Sequence, residues 1–268
     1  MLLLLALACH APERASSALP DPPSRIAVPA APAWPAPGAL RLLAPRTPPG
    51  WRRPRLVLDP GHGAPGNEGN TSVACRHEAD EMLRVARALR PALQGAFDVR
   101  MSRDGELVGY RERIAAAATW GAAALVSLHS DAREGSGYGV DAQTGCPTSD
   151  GGRGFAVLWS DEGPDALVAG RQRLARAVAA RLRQTGFLPY EAGYDALYGA
   201  DPEHPGVSVD RHEPAQRIAM LRRPAMPSVI VETHQALDPA DVARWDQPET
   251  LLAFGAALRA GVIDALAE

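Results

Sequence analysis

Between Arg55 and the C-terminus, short apolar runs alternate with longer stretches whose apolar positions recur at helical spacing. Residues 55–59 form a brief apolar run, and 97–102, 123–128, 155–159 and 228–231 read the same way, as buried strands. Residues 78–94 set Met82, Leu83, Val85, Ala86, Leu89 and Leu93 at helical period before Gly95, which predicts a helix. Further helices are expected over 107–119, 165–185 and 248–266. This alternation predicts an α/β fold: a largely parallel, twisted sheet flanked by helices on both faces, as one domain over residues 55–268.

Two stretches break the rhythm. Residues 133–153 are rich in glycine, and residues 187–215 are polar and interrupted by Pro189, Pro202, Pro205 and Pro214. Loops this long in a compact domain are usually functional or disordered, and these two are expected to border the site and restrict access until a partner protein opens them. Upstream, residues 10–54 carry so much proline that helix and ladder are both disfavoured, and an extended linker is expected. Residues 1–9 are an apolar run ending in Ala8 and Cys9, read as an export signal with Cys9 as a lipid-anchor site, which places the protein in the cell envelope, on the periplasmic side. No run elsewhere reads as long enough to span a bilayer as a mature helix. The formal charge of −3 over 268 residues gives no reason to expect nucleic acid as a partner. With Cys9 set aside, Cys75 and Cys146 remain; in an oxidising compartment they either pair, tying a loop to the start of the first helix, or stand as separate thiols.

The ionisable residues fall at strand ends. His62 follows the first strand in Asp59-Pro60-Gly61-His62-Gly63, His129 closes the third in Ser127-Leu128-His129-Ser130-Asp131, and Glu232 closes the strand at 228–231. In open α/β sheets ligands bind beyond the carboxyl ends of the strands, so these three are expected on one edge, together with Glu78 at the start of the first helix. Two imidazoles and a carboxylate are a common zinc set that leaves a position for water, and a further carboxylate beside that water serves as a proton carrier. Taken singly, each has a plainer reading: a histidine capping a strand, an acidic residue at a helix N-terminus, a strand-end carboxylate. Asp59 either orients a ligand histidine through its outer nitrogen or caps its own turn. His234 lies two residues beyond Glu232 and shares its face if the strand continues. His77, His204 and His212 read as surface residues.

The wording around these residues carries more. Asp59-Pro60-Gly61-His62-Gly63, Glu78-Ala79-Asp80, Ser127-Leu128-His129-Ser130-Asp131-Ala132 and Val231-Glu232, with Ser102-Arg103, Arg113 and Gly121-Ala122 between them, resemble the zinc-dependent N-acetylmuramoyl-L-alanine amidases of bacterial cell walls, in the branch with a single α/β catalytic domain. The resemblance implies one zinc ion at His62, Glu78 and His129, Glu232 as catalytic carboxylate, and peptidoglycan as substrate, cleaved between N-acetylmuramic acid and L-alanine. Met82 and Ala118 depart from a frequent asparagine of that pattern, His234 from a glycine and Asp238 from an asparagine; these bear on substrate preference. Two rival readings stand beside it: a wall-binding module without turnover, and a zinc peptidase or deacylase acting on another wall amide.

Overall fold

The computed structural model describes residues 40–135, 137–190 and 197–267. Its elements follow in the order β1 (Arg55–Pro60), α1 (Glu78–Gln94), β2 (Asp98–Met101), α2 (Tyr110–Trp120), β3 (Ala124–Asp131), β4 (Gly139–Val140), β5 (Pro147–Thr148), β6 (Ala156–Trp159), α3 (Asp165–Thr185), β7 (Tyr198–Ala200), β8 (Val207–Asp210), α4 (Ala219–Arg222), β9 (Ser228–Gln235), α5 (Pro239–Trp245) and α6 (Pro248–Ala267). The main sheet has the order β2-β1-β3-β9-β6-β8-β7, with β4 and β5 as a separate antiparallel ribbon. From β2 to β9 it is parallel; β6 runs against β9, β8 runs with β6, and β7 is antiparallel to β8.

Alternate side chains along each strand feed two apolar layers. Leu56, Leu58, Val126, Val229 and Val231 pack with residues of α1, α3 and α6, whereas Val57, Leu125 and Ile230 pack toward α2 and α4. The sheet is therefore covered on both faces, which is why its strands read as continuous apolar runs. The carboxyl ends of β1, β3 and β9 share one edge, where α1 also begins.

Three expectations are corrected. The stretch 187–215 is not a loop throughout, since β7 and β8 within it extend the sheet, and Val207 and Val209 are buried. The proline-rich segment is not free over its described part. Arg41 N–H donates to Thr185 O at 2.8 Å, Trp51 Nε1 donates to Ala96 O at 2.7 Å, and Leu40 and Leu43 rest on the core. Leucines and a tryptophan gain more by covering α3 and the end of α1 than by staying in water. Finally, α6 is long and apolar enough to cross a bilayer, yet 67% of its most apolar window is buried inside the domain. Residues 1–9, including Cys9, and most of the linker lie outside the described residues.

Candidate metal centre

The centre is assembled around a turn that only a particular sequence tolerates. After β1 the chain bends at Gly61, whose N–H donates to Leu128 O on β3 at 2.8 Å. A Cβ on Gly61 would stand 2.5 Å from that oxygen and 2.6 Å from His129 Cε1, so only glycine lets the two strand ends come this close. His62 follows with φ +55°, a left-handed conformation uncommon outside glycine. Two buried arginines hold it there. Arg103 donates from Nε to Pro60 O and from Nη2 to Gly61 O and Ala79 O, at 3.0, 2.9 and 2.7 Å. Arg113, on α2, donates to Pro60 O at 3.0 Å and to His62 O at 2.5 Å.

Asp59 is the counterion of this frame. Fully buried, it accepts from Arg113 Nη1 at 3.1 Å and from the hydroxyls of Ser102 and Ser127. It thus positions the His62 backbone through Arg113 and does not meet an imidazole, which corrects both readings of it made above. The outer nitrogen of His62, Nδ1, lies 2.7 Å from Asn67 Oδ1 instead.

The three inner donors converge. Glu78 Oε2 lies 3.0 Å from His62 Nε2, Glu78 Oε1 lies 3.1 Å from His129 Nδ1, and the two imidazole nitrogens are 3.2 Å apart. The ligand atoms of all three residues fall within 4.8 Å of one another. Glu78 is fixed in turn by Asn70, whose N–H and Nδ2 donate to Oε2 at 3.1 and 2.8 Å, and by Ser130 N–H, which donates to Oε1 at 3.0 Å. Burial opposes ionisation of Glu78, but the two imidazoles outweigh it and hold the carboxyl well below the usual carboxylate range. Burial likewise opposes a charge on His62, yet contact with Glu78 raises its pKa. Two nitrogen bases and a carboxylate aimed at one point, backed by amide donors, suit a divalent cation of borderline softness.

Glu232 stands beside this cluster, paired in register with His129 across β3 and β9. Among the described residues its Oε2 is buried and without a hydrogen-bond partner. Burial first, then the charges of Asp131 and Glu78, push its carboxyl well above the ordinary range, against the pull of Arg133. The edge therefore offers three metal-type donors and one carboxyl that resists ionisation.

Comparison with known proteins supplies the chemistry. Residues 56–264 match the model of a family described as N-acetylmuramoyl-L-alanine amidase. The chain belongs to that family. It hydrolyses the amide between N-acetylmuramic acid and L-alanine in peptidoglycan. Among solved structures, the N-acetylmuramyl-L-alanine amidase Ami1 from Mycobacterium smegmatis matches with TM-score 0.60 at 23% identity, over 80% of this chain and 97% of that one. The amidase AmiC2 of Nostoc punctiforme matches with TM-score 0.57 at 22% identity, over 80% and 98%. The CwlD amidase from Clostridioides difficile, in complex with the GerS lipoprotein, matches with TM-score 0.55 at 15% identity, over 80% and 99%. At these identities the structures show a shared fold. A comparison with curated protein sequences finds no match.

The remaining candidates of the amidase separate around this centre. β9 does continue to His234, but His129 pairs with Glu232 and Asp131 with Gln235, so a bulge inserts one extra residue. That residue turns His234 to the opposite layer, where its ring stacks on Trp245 at 5.1 Å, and His234 does not join the cluster. Cys75 and Cys146 are joined in a disulfide with Cα atoms 5.5 Å apart, linking the ribbon β4–β5 to the loop that precedes Glu78. The ribbon is held again by Ser149 N–H on Leu237 O at 3.0 Å and by Arg153 on Asp238 at 2.8 Å. Arg133 connects the two long segments, lying 3.7 Å over the Tyr190 ring while Nη1 donates to Gly154 O at 3.1 Å. His77 is exposed; His204 and His212 pair with Asp201 and Asp210 away from the centre. Met82 is core, Ala118 exposed, and Asp238 caps α5. Sequence reasoning missed Asn67 and Asn70, whose only signal was that polar, turn-forming residues crowd between His62 and Glu78, and it gave Ser130 no role beyond its place in a motif, since Ser130 acts through its backbone N–H.

Proposed function

We propose that the amidase is zinc-dependent, with His62 Nε2, His129 Nδ1 and the Glu78 carboxylate as ligands and Glu232 as the catalytic carboxylate. Zinc, when bound, supplies a Lewis acid that polarises the scissile carbonyl and acidifies a water. Glu232 takes the proton of the attacking water and hands it to the departing nitrogen of L-alanine. Burial and the neighbouring carboxylates raise its pKa, which favours the protonated form that the second half of that task needs. Asp59, Arg103 and Arg113 hold the His62 turn, so the ligand atoms are placed before substrate arrives.

One observation carries this reading: the ligand atoms of His62, Glu78 and His129 lie within 4.8 Å of one another beside Glu232, whose Oε2 is buried and without a hydrogen-bond partner among the described residues. We further propose that the enzyme acts outside the cytoplasm, in the cell envelope on the periplasmic side, tethered through Cys9, and that a protein partner, such as the lipoprotein that accompanies the Clostridioides difficile amidase, controls approach past residues 133–153. The test is the zinc content of the purified chain, together with mass spectrometry of peptidoglycan it has digested. About one zinc per chain and stem peptides beginning with L-alanine are expected. A metal-free chain that still releases them would overturn the zinc assignment.

A further inference from the structure

The zinc reading concerns the inner nitrogens of the ligand histidines; the outer nitrogen of His62 has a partner of its own. We propose that Asn67, locked by Tyr110, is the positioning residue that sets the tautomer and aim of His62, and that α2 thereby tunes how tightly the centre holds its metal. The inference rests on the zinc assignment above.

To offer Nε2 as a metal ligand, His62 must carry its proton on Nδ1, which then needs an acceptor. Asn67 Oδ1 is placed for this at 2.7 Å. The side of the amide that faces His62 is fixed by its other contacts. Asn67 Nδ2 donates to Tyr110 Oη at 3.0 Å, and Gly69 N–H donates to Asn67 Oδ1 at 3.2 Å. Flipping the amide would turn its NH2 toward two N–H donors at once, so the oxygen stays on the histidine. The backbone of Asn67 is equally constrained: its N–H donates to Ala64 O at 2.9 Å and its carbonyl accepts from Gly63 N–H at 2.8 Å. Each bond belongs to the short loop that starts at His62, so loop and ligand are one unit.

That unit is gripped from a single helix. Tyr110 opens α2 and reaches the His62 ring through Asn67. Arg113, one turn further along, grips the His62 carbonyl, and its guanidinium lies 5.1 Å from the Tyr110 ring centroid. One helix end therefore fixes both the backbone and the ring of a residue whose φ of +55° is otherwise unfavourable. The acceptor is also a neutral amide where a carboxylate would make the imidazole a stronger donor. The geometry thus points to a centre whose affinity for zinc is held below its ceiling by one side chain.

The experiment compares the full chain with Asn67→Ala, Asn67→Asp and Tyr110→Phe, measuring zinc dissociation constants by chelator competition and thermal unfolding of each metal-free protein. Asn67→Ala is expected to weaken zinc binding about 10- to 100-fold while the metal-free protein unfolds within a few degrees of wild type. Asn67→Asp is expected to bind zinc at least as tightly as wild type, and Tyr110→Phe to fall between Ala and wild type. Unchanged affinity in Asn67→Ala would overturn the inference. So would an Asp variant as weak as Ala, since that outcome means the loop, not the acceptor, was lost. A wild-type chain that binds no zinc would instead remove the zinc reading itself, and this inference with it.

Discussion

At the scale of single residues, the centre satisfies the carboxylate and imidazole that face each other but not the carboxyl beside them. His62 and Glu78 have their second contacts filled by Asn67, Asn70 and Ser130, yet Glu232 keeps an oxygen that is buried and unpartnered among the described residues. A buried carboxylate without donors costs free energy in the folded state, and Asp131 and Glu78 add like charge nearby. The proposed role of Glu232 as proton carrier accounts for that cost, because the carboxyl must then stay free for water and the leaving nitrogen. Replacing Glu232 by Gln separates the two consequences. Hydrolysis should fall by roughly 10²- to 10⁴-fold, the usual worth of a general acid–base group, with zinc content unchanged. In the metal-free protein the same substitution should raise the unfolding temperature at neutral pH, since an amide is neutral in the buried site without the proton uptake that the carboxyl needs on folding. A variant that loses zinc along with activity would make Glu232 a ligand and contradict the role given to it.

At the scale of elements, three strands and one helix converge, and a disulfide fixes what the sheet does not. The ribbon β4–β5 belongs to no other sheet, and its tie to the loop before Glu78 is the Cys75–Cys146 bond. The bridge closes a separation of 71 residues, for which the chain-entropy argument gives a ceiling of about 4 kcal/mol. Cys146→Ser should therefore lower stability toward urea by roughly 2–4 kcal/mol, and the same loss should follow reduction of the wild type. If reduction leaves the urea midpoint unmoved, the bond contributes nothing to the fold. Elements were also where the sequence was most and least legible. The strand at residues 123–128 and the helix at 78–94 announced themselves because burial on both faces makes a strand a continuous apolar run and burial on one face gives a helix its apolar period. β7 and β8 did not, being three and four residues long in a stretch broken by Pro202 and Pro205. The same limit hid the orientation of His234. Alternation placed it with Glu232, and only a bulge opposite His129 and Asp131, which leaves no mark in composition, sends it to Trp245. His62, His129 and Glu232 were readable because strand ends of one sheet edge meet, Glu78 because its helix starts on that edge, and the motifs around them carried the assignment further; Asn67 was not, because loop polarity says nothing of which imidazole it faces.

At the scale of the whole molecule, the layer between the sheet and α5 holds two ionisable groups whose effects on folding oppose each other. His234 is buried against Trp245, and burial pushes its pKa down to about 3. In the unfolded chain an imidazole takes its proton near pH 6.5. Between those values the unfolded state binds a proton that the folded state refuses, so this group's contribution is present above about pH 6.5 and is lost as pH falls toward 3. Asp241, which accepts from Gln235 N–H at 2.9 Å, is pushed up to about 6 by burial. Its folded form keeps a proton that the unfolded chain releases near pH 4, so stability rises as pH falls from about 6 to about 4. From pH 7 to pH 4 His234 is worth about 3 kcal/mol and Asp241 about 2 kcal/mol with opposite sign, at the level of order of magnitude. Urea unfolding of the metal-free, disulfide-intact protein at the two pH values resolves them. Relative to wild type, His234→Phe should gain about 3 kcal/mol on acidification, Asp241→Asn should lose about 2 kcal/mol, and the double variant should lie between the two single variants. A His234→Phe protein whose acid response matches wild type would mean that His234 is protonated in the folded state, against its place in the apolar layer.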